Sequence, residues 1–163
     1  MGYTTEFHGK FNITPKLSED DRLYLTKFSE TRRMKRDLSK INYGIDGEWY
    51  VDGEGYGGQD NDPSVVDYNS PPSNQPSLWC QWVPTEDGTA LVWDEGEKFY
   101  KSAEWLKYLI NRYLAPRGYT VNGEVSAQGE DPEDHWFLIA DNNTVFVQDT
   151  EVNRLPKKRV EWR

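Results

Sequence analysis

Two pairs of alternating apolar segments are joined by turns too short for anything but antiparallel pairing. Segments 78–84 and 90–94 flank Thr85-Glu86-Asp87-Gly88-Thr89, where Asp-Gly is the turn signal. Segments 135–140 and 144–148 flank Asp141-Asn142-Asn143, and Asn tolerates the positive φ of a tight turn. Two local hairpins commit the chain to an antiparallel sheet before any helix is considered.

The flanking segments fit that frame. Residues 3–13 alternate, with Tyr3, Thr5, Phe7, Gly9, Phe11 and Ile13 on one side, which predicts a half-buried strand ended by Pro15. Ser18 with Asp21 three residues on resembles a capping box and predicts a helix over 19–31, with Leu25 and Phe28 facing the core. Phe99, Ala103, Leu106, Leu109, Ile110 and Tyr113 form a stripe that predicts a helix over 98–114, ended by Pro116 and Gly118. Asn122-Gly123 is a hairpin dipeptide, but its arms would be about three residues long. Residues 119–128 are therefore read as one strand. Short strands are also expected at Glu48-Trp49-Tyr50-Val51 and at Val160-Glu161-Trp162. The fold class expected is α+β: one antiparallel sheet with two helices, the longer one (about 99–114) packed on one face. Residues 1–155 are read as a single α+β domain with a Gly/Pro-rich acidic loop at about 52–76. Residues 156–163 form a basic C-terminal tail or short last strand.

Charge is unevenly spread. The 163 residues carry a net charge of −9. Residues 1–41 hold nine Lys+Arg against six Asp+Glu, 42–155 hold six against 21, and 156–163 hold four against one. The middle of the chain thus stands at −15 and both ends at +3. Such a field repels nucleic acid phosphates and attracts basic partners. No apolar run is long enough to span a membrane, and the N-terminus lacks a secretory pattern. A single Cys cannot form an internal disulfide, so a cytoplasmic home is expected.

Three pieces of the chain carry a resemblance. They are the opening Gly2-Tyr3-Thr4-Thr5 with Ile13-Thr14-Pro15-Lys16-Leu17, the segment Leu78-Trp79-Cys80-Gln81-Trp82-Val83-Pro84 with Gly96-Glu97-Lys98-Phe99-Tyr100, and Asn122-Gly123-Glu124-Val125 with Gln128-Gly129-Glu130-Asp131. Together they resemble a family of short uncharacterised bacterial and phage proteins, over most of the chain outside 42–76 and the last dozen residues. The resemblance implies a compact cytoplasmic protein, borne on a mobile element, and gives no residue a catalytic role.

Chemistry is sparse. Cys80 alternates with Leu78 and Trp82, so burial and an inert structural role are expected. Two His and one Cys are too few for ordinary zinc spacing. Asp60-Asn61-Asp62 opens like a calcium loop, but Val65 stands where glycine is required. Gly53, Gly55, Gly57 and Gly58 lack the Lys-Ser/Thr of a phosphate loop. No cofactor and no metal are expected. Arg32, Arg33, Lys35 and Arg36 read as an anion or RNA site, or as a solvated helix end that complements the dipole; the second is preferred. Trp79, Trp82 and Trp93 lie in the first hairpin and Trp105 on the flank of its helix away from the main stripe; some of these rings must be core, and exposed ones would suit a basic partner.

Two functions remain. One is a non-catalytic acidic protein that binds a basic protein surface, such as a nucleic-acid-binding protein, through Asp52, Glu54, Asp60, Asp62, Asp67, Asp94, Glu95 and Glu97. Its concrete form is a phage or mobile-element inhibitor of a nucleic-acid-handling host defence protein, anti-CRISPR-like in behaviour. The alternative is a small hydrolase or ligand-binding enzyme using a carboxylate site at Glu124, Glu130, Asp134 and His135.

Overall fold

A computed structural model describes residues 3–40, 49–51, 59–150 and 155–161. Strand β1 (Glu6–Thr14) leads into helix α1 (Glu19–Glu30). The short strands β2 (Lys35–Arg36) and β3 (Val65–Asp67) follow, then the hairpin β4 (Trp82–Pro84) and β5 (Ala90–Trp93). Helix α2 (Ser102–Leu109) precedes β6 (Thr120–Gln128), β7 (His135–Asp141), β8 (Thr144–Asp149) and β9 (Lys158–Arg159).

The expected α+β class is observed, with one more sheet than expected. Seven strands form an antiparallel sheet in the order β4-β5-β1-β6-β7-β8-β9, and β2 pairs with β3 in a separate two-stranded sheet. Both hairpins read from the sequence form, and Asn142 and Asn143 take φ of 44° and 71°. In the first hairpin, residues 78–81 stay outside the strand. Its turn is held by Asp87, which accepts hydrogen bonds from Thr85 and Thr89 that bring its carboxyl down to about 2. Asn122-Gly123 does not turn. β6 runs straight through it and pairs with β1 from Glu6↔Gln128 to Thr14↔Thr120. Gly123 has φ 154°, and a Cβ there would stand 2.5 Å from the Lys10 carbonyl, so only glycine fits this close crossing.

The period-2 pattern sends Phe7, Phe11, Ile13, Val121, Val125, Ala127, Leu138 and Val145 to one face. α2 packs there with Leu106, Leu109 and Ile110, and α1 adds Leu25 and Phe28 to the same apolar cluster. Trp82 and Trp105 are fully buried in it. Trp105 is thus one of the core rings: its indole donates to Ser77 Oγ (2.7 Å), and α2 is buried on more of its circumference than one stripe accounts for. The helix is also shorter than its stripe. Lys98 and Lys101 have φ of 57° and 61°, so α-geometry begins only at Ser102. It widens to a π-turn over Ile110–Leu114, then to a 3-10 turn at Ala115–Arg117. α1, at 12 residues against 8, is the longer α-helix proper.

At the start of α1 the capping is rearranged. Ser18 Oγ accepts the Asp21 N–H (3.2 Å), but the Asp21 carboxylate turns away to accept the hydroxyls of Tyr113 and Tyr119, each at 2.6 Å. Ser18 N–H donates to Tyr119 instead. One carboxylate thus ties α1 to the π-turn and to the approach to β6. The last strand forms two residues earlier than expected, at Lys158–Arg159; Val160 is buried, and Trp162 lies outside the described residues. At 49–51 there is no strand, and Glu48 lies outside the described residues; Trp49 instead packs its ring against Phe28, Tyr108 and Tyr113.

The basic run after α1 is not a solvated helix end. Arg33 and Arg36 are buried. Arg33 stacks over Phe28 (4.0 Å) and donates to Gln75 Oε1 (3.1 Å). Arg36 stacks over Tyr50 (3.7 Å) and donates to Ser64 Oγ (2.8 Å). Arg32 stacks over Tyr68 (3.9 Å) and donates to the Tyr68 carbonyl. The long excursion between β2 and β4 folds back on this run and supplies the rings and acceptors that take its charges out of water.

Candidate functional site

Between β5 and α2 the chain crosses the open end of the core in a strained arch. Glu95, Lys98 and Lys101 lie in the left-handed region, with φ of 67°, 57° and 61°. Such conformations cost about 1 kcal/mol or more each for residues with a Cβ, and persist only when the surroundings over-determine them. The determinants are visible. Asp94 accepts the Gly96 N–H (2.8 Å), the Trp93 indole donates to the Gly96 carbonyl (3.2 Å), and Gln81 Nε2 donates to the Glu97 carbonyl (2.9 Å). Phe99 inserts into the core against Phe7 and Trp82. Ser77 donates to the Tyr100 carbonyl (3.2 Å). With both neighbours pinned, Tyr100 stands out, 56% exposed, as a ridge.

A cleft lies on each side of that ridge. The first, of 510 Å³, opens between the start of α2 and the ends of β7 and β8, over Phe7, Phe99 and Trp136, with Tyr3, Asp134 and Asp149 at its rim. The second, of 490 Å³, is lined by Arg32, Pro71, Pro76, Leu78, Trp79 and Glu97. It continues through Trp79, Gln81 and Glu97 into a 320 Å³ hollow that contains Asp94. Burial raises the Asp94 pKa above the ordinary carboxylate value, against the pull of the Gly96 N–H. Tyr3, 45% exposed, lines the first cleft, and Tyr68, 43% exposed, stacks with Arg32, which lines the second.

The residues singled out from sequence are distributed unevenly over this surface. Asp94, Glu95 and Glu97 belong to the arch; Glu95 and Glu97 are exposed, and Asp94, open to solvent as a residue, lines the hollow where its carboxyl is partly desolvated. Asp67 ends β3 opposite Lys35, accepts the Asn69 N–H (3.0 Å), and so lies beside the second cleft that Asn69 lines. Asp62 is occupied internally: it accepts both the N–H and the hydroxyl of Ser64, which together hold its pKa down with a smaller pull from Arg36, 3.9 Å away. Asp60 is exposed on a 3-10 turn. Asp52 and Glu54 lie outside the described residues.

The alternative carboxylate site divides. Glu124 and His135 lie on the sheet face opposite the helices, Glu124 in register with Lys10 and His135 with Gln128. The Thr150 hydroxyl donates to the His135 carbonyl, and Phe137 packs on its ring. Glu130 accepts the Thr4 N–H (2.9 Å) and Asp134 accepts the Tyr3 hydroxyl (2.7 Å), so both tie down the N-terminal arm. Of the four, Asp134 lines the first cleft. Cys80 is buried, and burial pushes its thiol up to about 12, which keeps it an unreactive core group. Among the described residues no group of three or more His, Cys, Asp and Glu side chains is placed to hold a metal ion. No described helix is long and apolar enough to cross a membrane.

Sequence reasoning missed Tyr3, Tyr68, Tyr100, Trp136, Ser102 and Asp149 as site residues. Alternation puts Trp136 on the core side of β7, which is correct. Nothing local shows that α2 starts too late to cover it. Comparison of the chain with protein-family models, with curated proteins and with solved structures finds no match to any of them.

Proposed function

We propose that the protein is a non-catalytic binding protein that docks a basic protein surface through the Tyr100 ridge and the two clefts beside it. One observation carries this reading. The exposed Tyr100 stands between a cleft rimmed by Tyr3, Asp134 and Asp149 and a second where Glu97 and, in the adjoining hollow, Asp94 stand beside Arg32 and Lys98, and hydrogen bonds on both sides fix the backbone of the ridge. Tyrosine supplies large contact area at low entropic cost and is enriched among interface hot spots. Carboxylates around it steer a cationic partner and reject an anionic one. A preordered ridge saves the cost of ordering a loop on binding. The partner class that fits is a nucleic-acid-handling protein, whose Lys/Arg surface such a rim would occupy. Inhibition of a host defence protein is the form of that activity which the resemblance to phage proteins implies.

The test is capture from nuclease-treated host lysate with the wild type and with Asp94→Lys/Glu97→Lys, washed at low and high salt. The reading expects one stoichiometric basic protein, lost from the wild type at high salt and from the variant at both. A partner that is acidic, or that the reversed charges retain equally, overturns it.

A further inference from the structure

The first cleft has two unlike walls and an aromatic floor. Phe99 and Trp136 both meet Phe7 edge-on, at 5.9 and 6.1 Å, and line the floor with it. The wall on the sheet side carries Asp134, fixed by the Tyr3 hydroxyl, and Asp149 at the exposed end of β8. The wall on the helix side is the first turn of α2. Lys101 occupies the N-cap position in a left-handed conformation and its side chain makes no cap to the N–H groups of that turn. Ser102 lines the same wall. It is only 7% exposed, its carbonyl accepts the Trp82 indole N–H (2.8 Å), and its hydroxyl, which makes no hydrogen bond to another described residue, is reached by solvent at the cleft wall. A hydroxyl that water serves there can serve an acceptor from a ligand instead.

The geometry points to an arginine seat: we propose that this cleft takes one arginine of the docking partner. Its guanidinium lies over Trp136 with its fork toward Asp134 and Asp149, and its main-chain carbonyl is received at Ser102 and the first turn of α2. The inference rests on the docking function proposed above and names the side chain that the first cleft reads. Each part of the cleft selects. A planar cation stacks on an indole face and engages carboxylates in pairs, which an ammonium does less well. Asp134, Asp149 and Glu104 against Lys101 leave the lining net negative, which excludes a phosphate or an acidic side chain. The donors at Ser102 exclude a purely apolar occupant, because filling the cleft would bury them unsatisfied.

The test is an NMR titration of the whole chain, following the Trp136 indole and Ser102 amide resonances. The probes are acetyl-Gly-Gly-Arg-Gly-Gly-amide and its Lys and citrulline counterparts. Both resonances are expected to move with the Arg peptide. The Lys peptide is expected to bind about fivefold more weakly and the isosteric neutral citrulline peptide more weakly still. Asp149→Asn, an exposed change that leaves the remaining spectrum in place, is expected to weaken the Arg peptide about fivefold. Ser102→Ala is expected to weaken all three peptides alike. Equal binding of Arg and citrulline, equal binding of Arg and Lys, or shifts that map away from the cleft overturn the seat. A basic partner captured from lysate and undiminished by Asp149→Asn contradicts the seat and leaves the wider reading intact. Arg-peptide shifts at the cleft with no basic partner in lysate support the seat and count against that reading.

Discussion

The meander β6-β7-β8 and the excursion between β2 and β4 are built on opposite principles. In the meander, consecutive strands pair through short turns, and its inner face is apolar: Val121, Val125, Leu138 and Val145 lie against α2. Backbone ladders and area burial do the stabilising there. The excursion has only β3 and short turns among its described residues, and polar side chains reaching across long sequence gaps hold it. Gln59 donates to the Glu30 carbonyl and accepts the Arg32 N–H, Gln75 meets Arg33 and the Tyr108 hydroxyl, and Arg36 meets Ser64. The meander supports the floor of the first cleft; the excursion supplies much of the second. The proposed docking surface thus sits where a regular half meets an irregular one, and the two halves should fail differently.

The largest expected effect is common to both. Trp82→Ala empties a fully buried site at the junction and should cost about 3–5 kcal/mol, read by chemical denaturation as a fall in the midpoint with unchanged slope. Next comes the contrast itself. Arg33→Ala leaves Gln75 without its charged partner inside the protein and should cost about 2–3 kcal/mol. Hydrogen exchange should show faster opening in 59–81, while β6, β7 and β8 keep their protection. Equal loss in both regions would erase the distinction.

Asp21→Asn comes third, at about 1–2 kcal/mol. Burial raises the Asp21 carboxyl, but the hydrogen bonds from Tyr113 and Tyr119 and the nearby Arg117 outweigh it, and the folded pKa lies below 3.8. A depressed carboxylate stabilises the fold above its unfolded pKa, and that stability is lost as pH falls through the folded value. The wild type should therefore lose more stability than Asp21→Asn between pH 5 and strongly acidic solution. A pH-independent gap between the two would show that Asp21 acts only through packing. Fourth, a Cβ at Gly129 would stand 2.2 Å from the Tyr3 hydroxyl and 2.1 Å from an Asp134 oxygen, both ends of side chains able to shift. Gly129→Ala should cost about 1 kcal/mol or less, yet part that pair at the first cleft. The Tyr3 ring resonances should then move while those of Tyr68, beside the second cleft, stay in place.

The regular half was the more legible. Its strands, its turn at Asn142-Asn143 and the passage of β6 through Asn122-Gly123 follow from alternation and turn chemistry, which are local. Arg33 and Arg36 were read as solvated because the side chains that accept from them, Gln75 and Ser64, lie 42 and 28 residues away, where no local signal predicts them. Whether Trp105 is core or exposed stayed open in the sequence because a single stripe cannot show that α1 and the excursion cover the flank of α2. The arch carried its own sign in Gly96-Glu97-Lys98, a poor helix start. That the strain extends to Lys101, and so leaves Trp136 uncovered, follows only from the anchoring of Phe99 in the core.

The central claim is that Tyr100 is held out for a partner. Tyr100→Ala removes a mostly exposed ring, so the unfolding midpoint should stay within about 0.5 kcal/mol of wild type. The direct measurement is calorimetric titration of the basic partner into wild type and Tyr100→Ala at two ionic strengths. The account predicts a loss of about 2 kcal/mol in affinity, roughly 30-fold, with the salt dependence preserved because the carboxylates remain. Unchanged affinity in a variant of unchanged stability would contradict it.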